Sequence, residues 1–192
     1  MSKKPSYLYR AFTEEQFAKQ FVESGLIRLG LMTSYTEIED QCRQDHGEGE
    51  SSWYVSNGHV TGDQINQMYL LCTASPDVDL KHLRKYGDWV VRINDPICLM
   101  NDLCVAAPVN TNMKLLGQCK LEQVKYNKGE VLNLDPDSGE AYKLPYTQKP
   151  SSYQGDHEYR YVITADMLGG SYPVDLFLHY DLNKPISYAE LL

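Results

Sequence analysis

Several features are scarce or missing in this chain of 192 residues, and each absence removes a class of function. No run of about 18 apolar residues occurs, and no apolar signal core follows the opening Met-Ser-Lys-Lys-Pro, which reads as a cytoplasmic, non-membrane chain. Cysteine is sparse and odd in number, at positions 42, 72, 98, 104 and 119, with no C-x-x-C pair. That pattern fits a reducing compartment, with Cys72, Cys98 and Cys104 acting as small hydrophobes within apolar runs. The five histidines are scattered with no H-x-x-x-H spacing, and no Gly-rich phosphate loop is present. Clusters of Lys and Arg are lacking as well. The net charge is −8, so a broad basic face for a nucleic-acid backbone is excluded, although contact with a single nucleotide is not.

What is present is an ordinary globular composition with 42% hydrophobic residues and a surplus of tyrosine, 15 in all. Tyrosine couples an apolar body to a polar tip and suits half-buried strands and wet clefts alike. No repeat, linker or low-complexity tract divides the chain, which reads as a single domain over residues 1–192.

Tyr7–Arg10 reads as a first strand. A helix follows, capped by Thr13 with Gln16 as partner, carrying Phe17, Phe21 and Val22 on one face and stopped by Gly25. Leu26–Leu31 reads as a strand, and Ser34 with Glu37 as the start of a short helix. Cys42–Ser52 reads as a loop, and Trp53–Thr61 as a hairpin turning at Asn57-Gly58. Met68–Thr73 is a buried strand, Asp79–Tyr86 a short helix, Trp89–Ile93 a strand and Pro96–Cys104 a helix. Strands follow over Met113–Tyr126, Asp156–Thr164 and Val174–Tyr180, with a turn at Asp135–Gly139. Strands outnumber helices and alternate with them irregularly. The prediction is an α+β fold with mixed, largely antiparallel sheets and a few short helices.

Four constellations have the residue types for chemistry, and each also has a structural reading. Arg43, Asp45, His46 and Glu48 share a short loop with two glycines, which suits close approach to a ligand but equally a solvated acidic loop. On the strand near residue 160, alternation points Glu158, Arg160 and Val162 one way and Tyr159, Tyr161 and Ile163 the other. The tyrosine face suits a core, leaving Glu158 and Arg160 at the solvent or cleft end, as an ion pair or as a carboxylate aimed into a site. Tyr9-Arg10 ends the first strand, where an arginine can grip a phosphate or serve the fold. Thr73 and Ser75 end a buried strand, where their hydroxyls can meet a ligand or cap the strand. The acids Glu37, Glu39, Asp40, Asp45 and Glu48 could hold a divalent cation for a nuclease, or simply face solvent.

In their order, Tyr9-Arg10, Gly25 to Leu29, Arg43-x-Asp45-x-x-Glu48-Gly49, Leu71-Cys72-Thr73, Lys149-Pro150 and Glu158-Tyr159-Arg160 resemble an uncharacterised prokaryotic and phage-associated family. The layout is also similar to the ADP-ribosyltransferase superfamily. That resemblance implies a split sheet, NAD as substrate and an enzyme that transfers ADP-ribose to a macromolecular acceptor, in phage–host conflict. It assigns Glu158 as the catalytic carboxylate, with Arg10, Arg43, Tyr9, Thr73 and Ser75 around NAD. Asp45, Glu48 and Arg160 lie nearby in the motifs, and Tyr35 or Tyr54 are further stacking candidates. The late strand carries no Glu-x-Glu pair, its second position being Arg160, which sets the chain apart from toxin-type arginine-specific transferases. The competing reading is a non-catalytic acidic binding or inhibitor protein that docks a basic partner.

Overall fold

The computed structural model describes residues 4–32, 34, 50–55, 58–63, 68–109, 115–128, 144–165 and 177–192. Within them the fold is α+β, a large antiparallel sheet with a few short helices. The strands are β1 (Leu8–Phe12), β2 (Leu26–Leu31), β3 (Glu50–Val55), β4 (Gly58–Asp63), β5 (Met68–Ala74), β6 (Trp89–Ile93), β7 (Leu115–Gln123), β8 (Glu158–Ala165), β9 (Phe177–Asp181) and β10 (Ala189–Leu191). The helices are α1 (Glu15–Lys19), which widens into a π-turn over Gln20–Ser24, α2 (Leu80–Leu83), α3 (Pro96–Val105) and α4 (Leu144–Thr147).

The arrangement around β5 opens the site. One edge of β5 pairs with β8 along its whole length, from Met68 opposite Thr164 to Ala74 opposite Glu158. The other edge is shared. β2 holds its start, with Gly30 opposite Leu70 and Leu31 opposite Tyr69, while β1 meets only its end, Tyr9 opposite Ala74. Between those contacts Leu71, Cys72 and Thr73 have no strand partner on that edge among the described residues. β1 then runs on into β6 and β10, and β2 into β9, so the two strand groups diverge from a common support. β3 and β4 form a separate hairpin.

The main core is built from alternate residues of these strands, including Leu8, Ile27, Leu29, Tyr69, Leu71, Tyr161 and Tyr180, covered by Ala18 and Phe21 of the first helix and Leu99 and Leu103 of α3. Burial of this apolar area supplies the driving force. The opposite face carries two smaller clusters, one around Met32, Leu70 and Val162 and one around Ala74, Leu83 and Val90. Asp95 starts α3 by accepting from the N–H groups of Ile97 and Cys98, ahead of Pro96 in the first turn. Gly25 (φ 71°) ends the first helix in the left-handed region. Gly87 (φ 151°) lies so close to the backbone of Phe12 that a Cβ would collide with β1.

Several expectations are corrected. The helix cap is Glu14, not Thr13, and its carboxylate accepts from Gln16 Nε2 (2.7 Å), so no side chain caps the helix N–H groups. Glu50–Ser52 already belong to β3, since they pair with Asp63, Gly62 and Thr61. Gly58 pairs with Val55 and so opens β4 rather than lying in the turn. Asp156 ends a 3₁₀ segment, Ser151–Asp156, and β8 begins only after His157 turns the chain in a left-handed conformation (φ 46°). The helix expected to start at Ser34 and the turn at Asp135–Gly139 lie, beyond Ser34 itself, outside the described residues.

Candidate functional site

The gap between β1 and β2 opens onto a cavity of about 330 Å³. It is lined by members of the main core, such as Phe12, Phe21 and Ile27, and by members of the cluster on the opposite face, such as Tyr9, Ala74, Leu83 and Tyr86. Among the described residues Arg10, Arg28, Lys149 and Arg160 line it against Asp156 and Glu158, four cations to two carboxylates. That surplus of two positive charges among the described lining residues stands inside a protein of net charge −8. A concave, partly desolvated site of that sign favours an anionic ligand.

Arg10 reaches into the gap, where its Nη1 donates to the Cys72 carbonyl at 2.7 Å. That carbonyl faces the stretch of β5 that lacks a strand partner, so the guanidinium supplies a backbone hydrogen bond the sheet would otherwise provide. The Arg10 guanidinium also lies 5.2 Å from the ring centroid of Phe12. Tyr9 stands beside it with its ring edge-on to Tyr7.

The polar floor is a chain of ion pairs. Glu158 Oε1 accepts from Arg160 Nε at 2.7 Å and Oε2 from Lys149 Nζ at 2.8 Å. Lys149 Nζ is 3.8 Å from Asp156 Oδ2, and Asp156 Oδ1 lies 2.8 Å from His82 Nε2 and accepts from the Tyr86 hydroxyl at 2.7 Å. Arg160 donates further to the Tyr146 carbonyl at 3.0 Å. The alternation expected for β8 holds, with Tyr159, Tyr161 and Ile163 in the main core. Of the two positions left open for Glu158 and Arg160, the solvent end and the cleft end, the second is the observed one: both line the cavity and are only 4% and 1% exposed. Each charge is buried because it has a partner, which is the condition under which buried ions are tolerated. Burial alone would raise the Glu158 pKa. The guanidinium of Arg160 and the ammonium of Lys149 outweigh it and hold the carboxyl down at about 2.

Local chain geometry sets this floor. Lys149 is placed by pairing of its own backbone with Lys125 and Lys128. The left-handed His157 lets Asp156 and Glu158 both reach the Lys149 ammonium. The Glu158 N–H donates to the Tyr126 hydroxyl at 2.6 Å.

The structure therefore brings Tyr9, Arg10, Thr73, Glu158 and Arg160 to one cavity. The Thr73 hydroxyl, however, donates to the Tyr159 carbonyl across the β5–β8 pair at 2.8 Å. Ser75 is not among the residues lining the cavity, and its Oγ accepts from the Asp77 N–H at 3.2 Å, closing the turn after β5. Cys72 lines the cavity, but burial, reinforced by the charge of Glu158, pushes its thiol up to about 12, so it is not a thiolate nucleophile. Arg43, Asp45 and Glu48, with Tyr35, lie outside the described residues. Among the described residues no group of three or more His, Cys, Asp or Glu side chains converges as a metal site. No helix among them is long and apolar enough to cross a membrane.

Sequence reasoning missed Lys149, Asp156, His82, Tyr86 and Arg28. Lys149-Pro150 was visible as a motif, but nothing in its spacing joins it to Glu158. The chain matches no family model, no curated protein and no solved structure.

Proposed function

We propose that this cavity binds NAD and that the protein transfers ADP-ribose from it to a macromolecular acceptor, in the setting of phage–host conflict. The observation that carries the reading is the convergence of Arg10 from β1 and Glu158 from β8 on one positively biased cavity in an acidic protein. The divergence of β1 and β2 from β5 supports a sheet split of the ADP-ribosyltransferase kind. In this reading Arg10 contacts the pyrophosphate, and Tyr9 or Tyr86 offers a ring to nicotinamide or adenine. Glu158, held ionised, opposes the positive charge that develops on the ribose as the glycosidic bond breaks. Both oxygens of Glu158 are engaged, so ribose hydroxyls would reach it only by displacing the Lys149 ammonium, which could then turn toward the ligand phosphates.

That same engagement favours a second reading, a protein that binds its ligand or a basic partner without turnover. One experiment separates the two. Incubation with NAD labelled in the adenine ring and a cell extract should yield labelled macromolecule together with free nicotinamide, and Glu158→Gln should lower the rate at least about 100-fold. A thermal upshift with NAD but no label supports the non-catalytic binder. Absence of both label and shift overturns NAD as the ligand.

A further inference from the structure

Arg28 is held in an unusual way. On β2 the exposed residues are Leu26 and Arg28, while Ile27 and Leu29 are buried. The Arg28 guanidinium carbon lies 4.4 Å from the ring centroid of Phe177 on β9 and 5.7 Å from that of Phe17 on α1. Among the described residues it makes no hydrogen bond and no ion pair. Ring faces attract the cation but supply none of the oxygen acceptors that its five N–H groups prefer. Two rings from two different elements also restrict the side chain's rotamers before any ligand arrives.

Arg92 gives the internal contrast. It too stacks on an aromatic ring, Tyr7 at 4.3 Å, but Glu190 lies 3.6 Å from its Nη1 and it does not line the cavity. An acidic chain with 26 carboxylate residues could readily have placed one beside Arg28. Instead, among the described residues, the cation is held by rings, at a cavity whose other strand wall carries Arg10.

We propose that Arg28 is a second phosphate anchor, working with Arg10 from the opposite side of the gap between β1 and β2, and that the cavity selects ligands with two linked phosphates over those with one. Two guanidiniums on the two diverging strands suit a diphosphate, because each can take one phosphate through paired, charge-assisted N–H bonds. The inference deepens the reading of the cavity as a nucleotide site and rests on that reading, but it does not require turnover.

The test is calorimetric binding of ADP, AMP and adenosine to the full chain and to Arg28→Ala, Arg28→Lys, Phe177→Leu and Arg92→Ala. ADP should bind the unmodified protein about 10- to 100-fold more tightly than AMP. Arg28→Ala should abolish that preference by weakening ADP while leaving AMP nearly unchanged. Arg28→Lys should recover only part of it, because a lysine is a point charge without the planar fork. Phe177→Leu should weaken ADP a few-fold by loosening the guanidinium, and Arg92→Ala, which removes the same charge elsewhere, should change nothing. The proposal is overturned by equal binding of ADP and AMP, by full ADP affinity in Arg28→Ala, by an equal loss in Arg92→Ala, or by no nucleotide binding at all. Arg28-dependent ADP binding without NAD turnover would sink the transferase reading and leave this one standing. Unchanged ADP binding in Arg28→Ala, with NAD turnover intact in the unmodified protein, would do the reverse.

Discussion

The floor and the mouth of the cavity are both rich in charge, yet they are built on opposite rules. At the floor, Arg160, Glu158, Lys149 and Asp156 alternate in sign and engage one another at 2.7 to 3.8 Å, so every charge there is answered inside the protein. At the mouth, Arg28 is answered by two aromatic rings and no acid among the described residues. Arg10 stands between these extremes, tied to a main-chain carbonyl. The lesson is that a charged residue lining a cavity is not thereby a ligand contact. Deep, mutually satisfied ions hold the fold together, and a cation stacked on rings at the mouth has, among the described residues, its hydrogen bonds still to make.

The comparison breaks first if the floor proves dispensable. Arg160→Leu takes the guanidinium away from Glu158 and from the Tyr146 carbonyl, and should cost about 3 to 5 kcal/mol in urea unfolding at neutral pH. A loss below about 1 kcal/mol would mean that the buried pairs contribute little.

A second, smaller effect follows from the depressed pKa of Glu158, about 2 against an ordinary 4.5. The folded state binds this proton less readily than the unfolded state. The stabilisation is therefore complete above pH 4.5 and is lost as pH falls from 4.5 through 2. At 1.36 kcal/mol for each pH unit it amounts to about 3 kcal/mol. Urea midpoints taken across that interval should show this acid limb in the unmodified protein and not in Glu158→Gln, and parallel curves would refute it.

Lys149→Met should cost less, about 1 to 3 kcal/mol, because Arg160 still answers Glu158. It should also make the acid limb shallower, read from the same titration. The smallest effect belongs to the mouth. Arg28→Ala should change the unfolding free energy by less than about 1 kcal/mol, since exposed cation–π contacts are weak. A larger loss would make Arg28 a structural residue like those of the floor.

Much of the fold was legible in the sequence. Apolar runs and Gly or Pro punctuation located β2 and β6 to the residue and β1, β5 and α3 to within one or two. Period-two alternation assigned the two faces of β8 correctly, because one face had to enter the core. Whether Glu158 and Arg160 face solvent or a cleft was left open for a reason that sequence cannot supply. Their burial depends on Lys149 and the Tyr146 carbonyl, brought alongside by the pairing of residues 147 to 149 with 125 to 128. The place of Ser75 was left open because a hydroxyl at a strand end has the same sequence signature whether it meets a ligand or caps a turn. Arg28 was missed because a polar residue on the exposed phase of a strand is ordinary, until Phe17 and Phe177 are seen to hold it.

The sequence by itself determined most of the segments that become strands and helices, though not α4 or β10, since those it located follow from local periodicity and the demand to bury hydrophobic surface. Only the tertiary structure decided that β1 and β2 share one edge of β5 and part around it, and which charges answer one another in the space this leaves. Such pairings join residues as far apart as His82 and Asp156, or Arg10 and Cys72, through side-chain hydrogen bonds that no local pattern encodes.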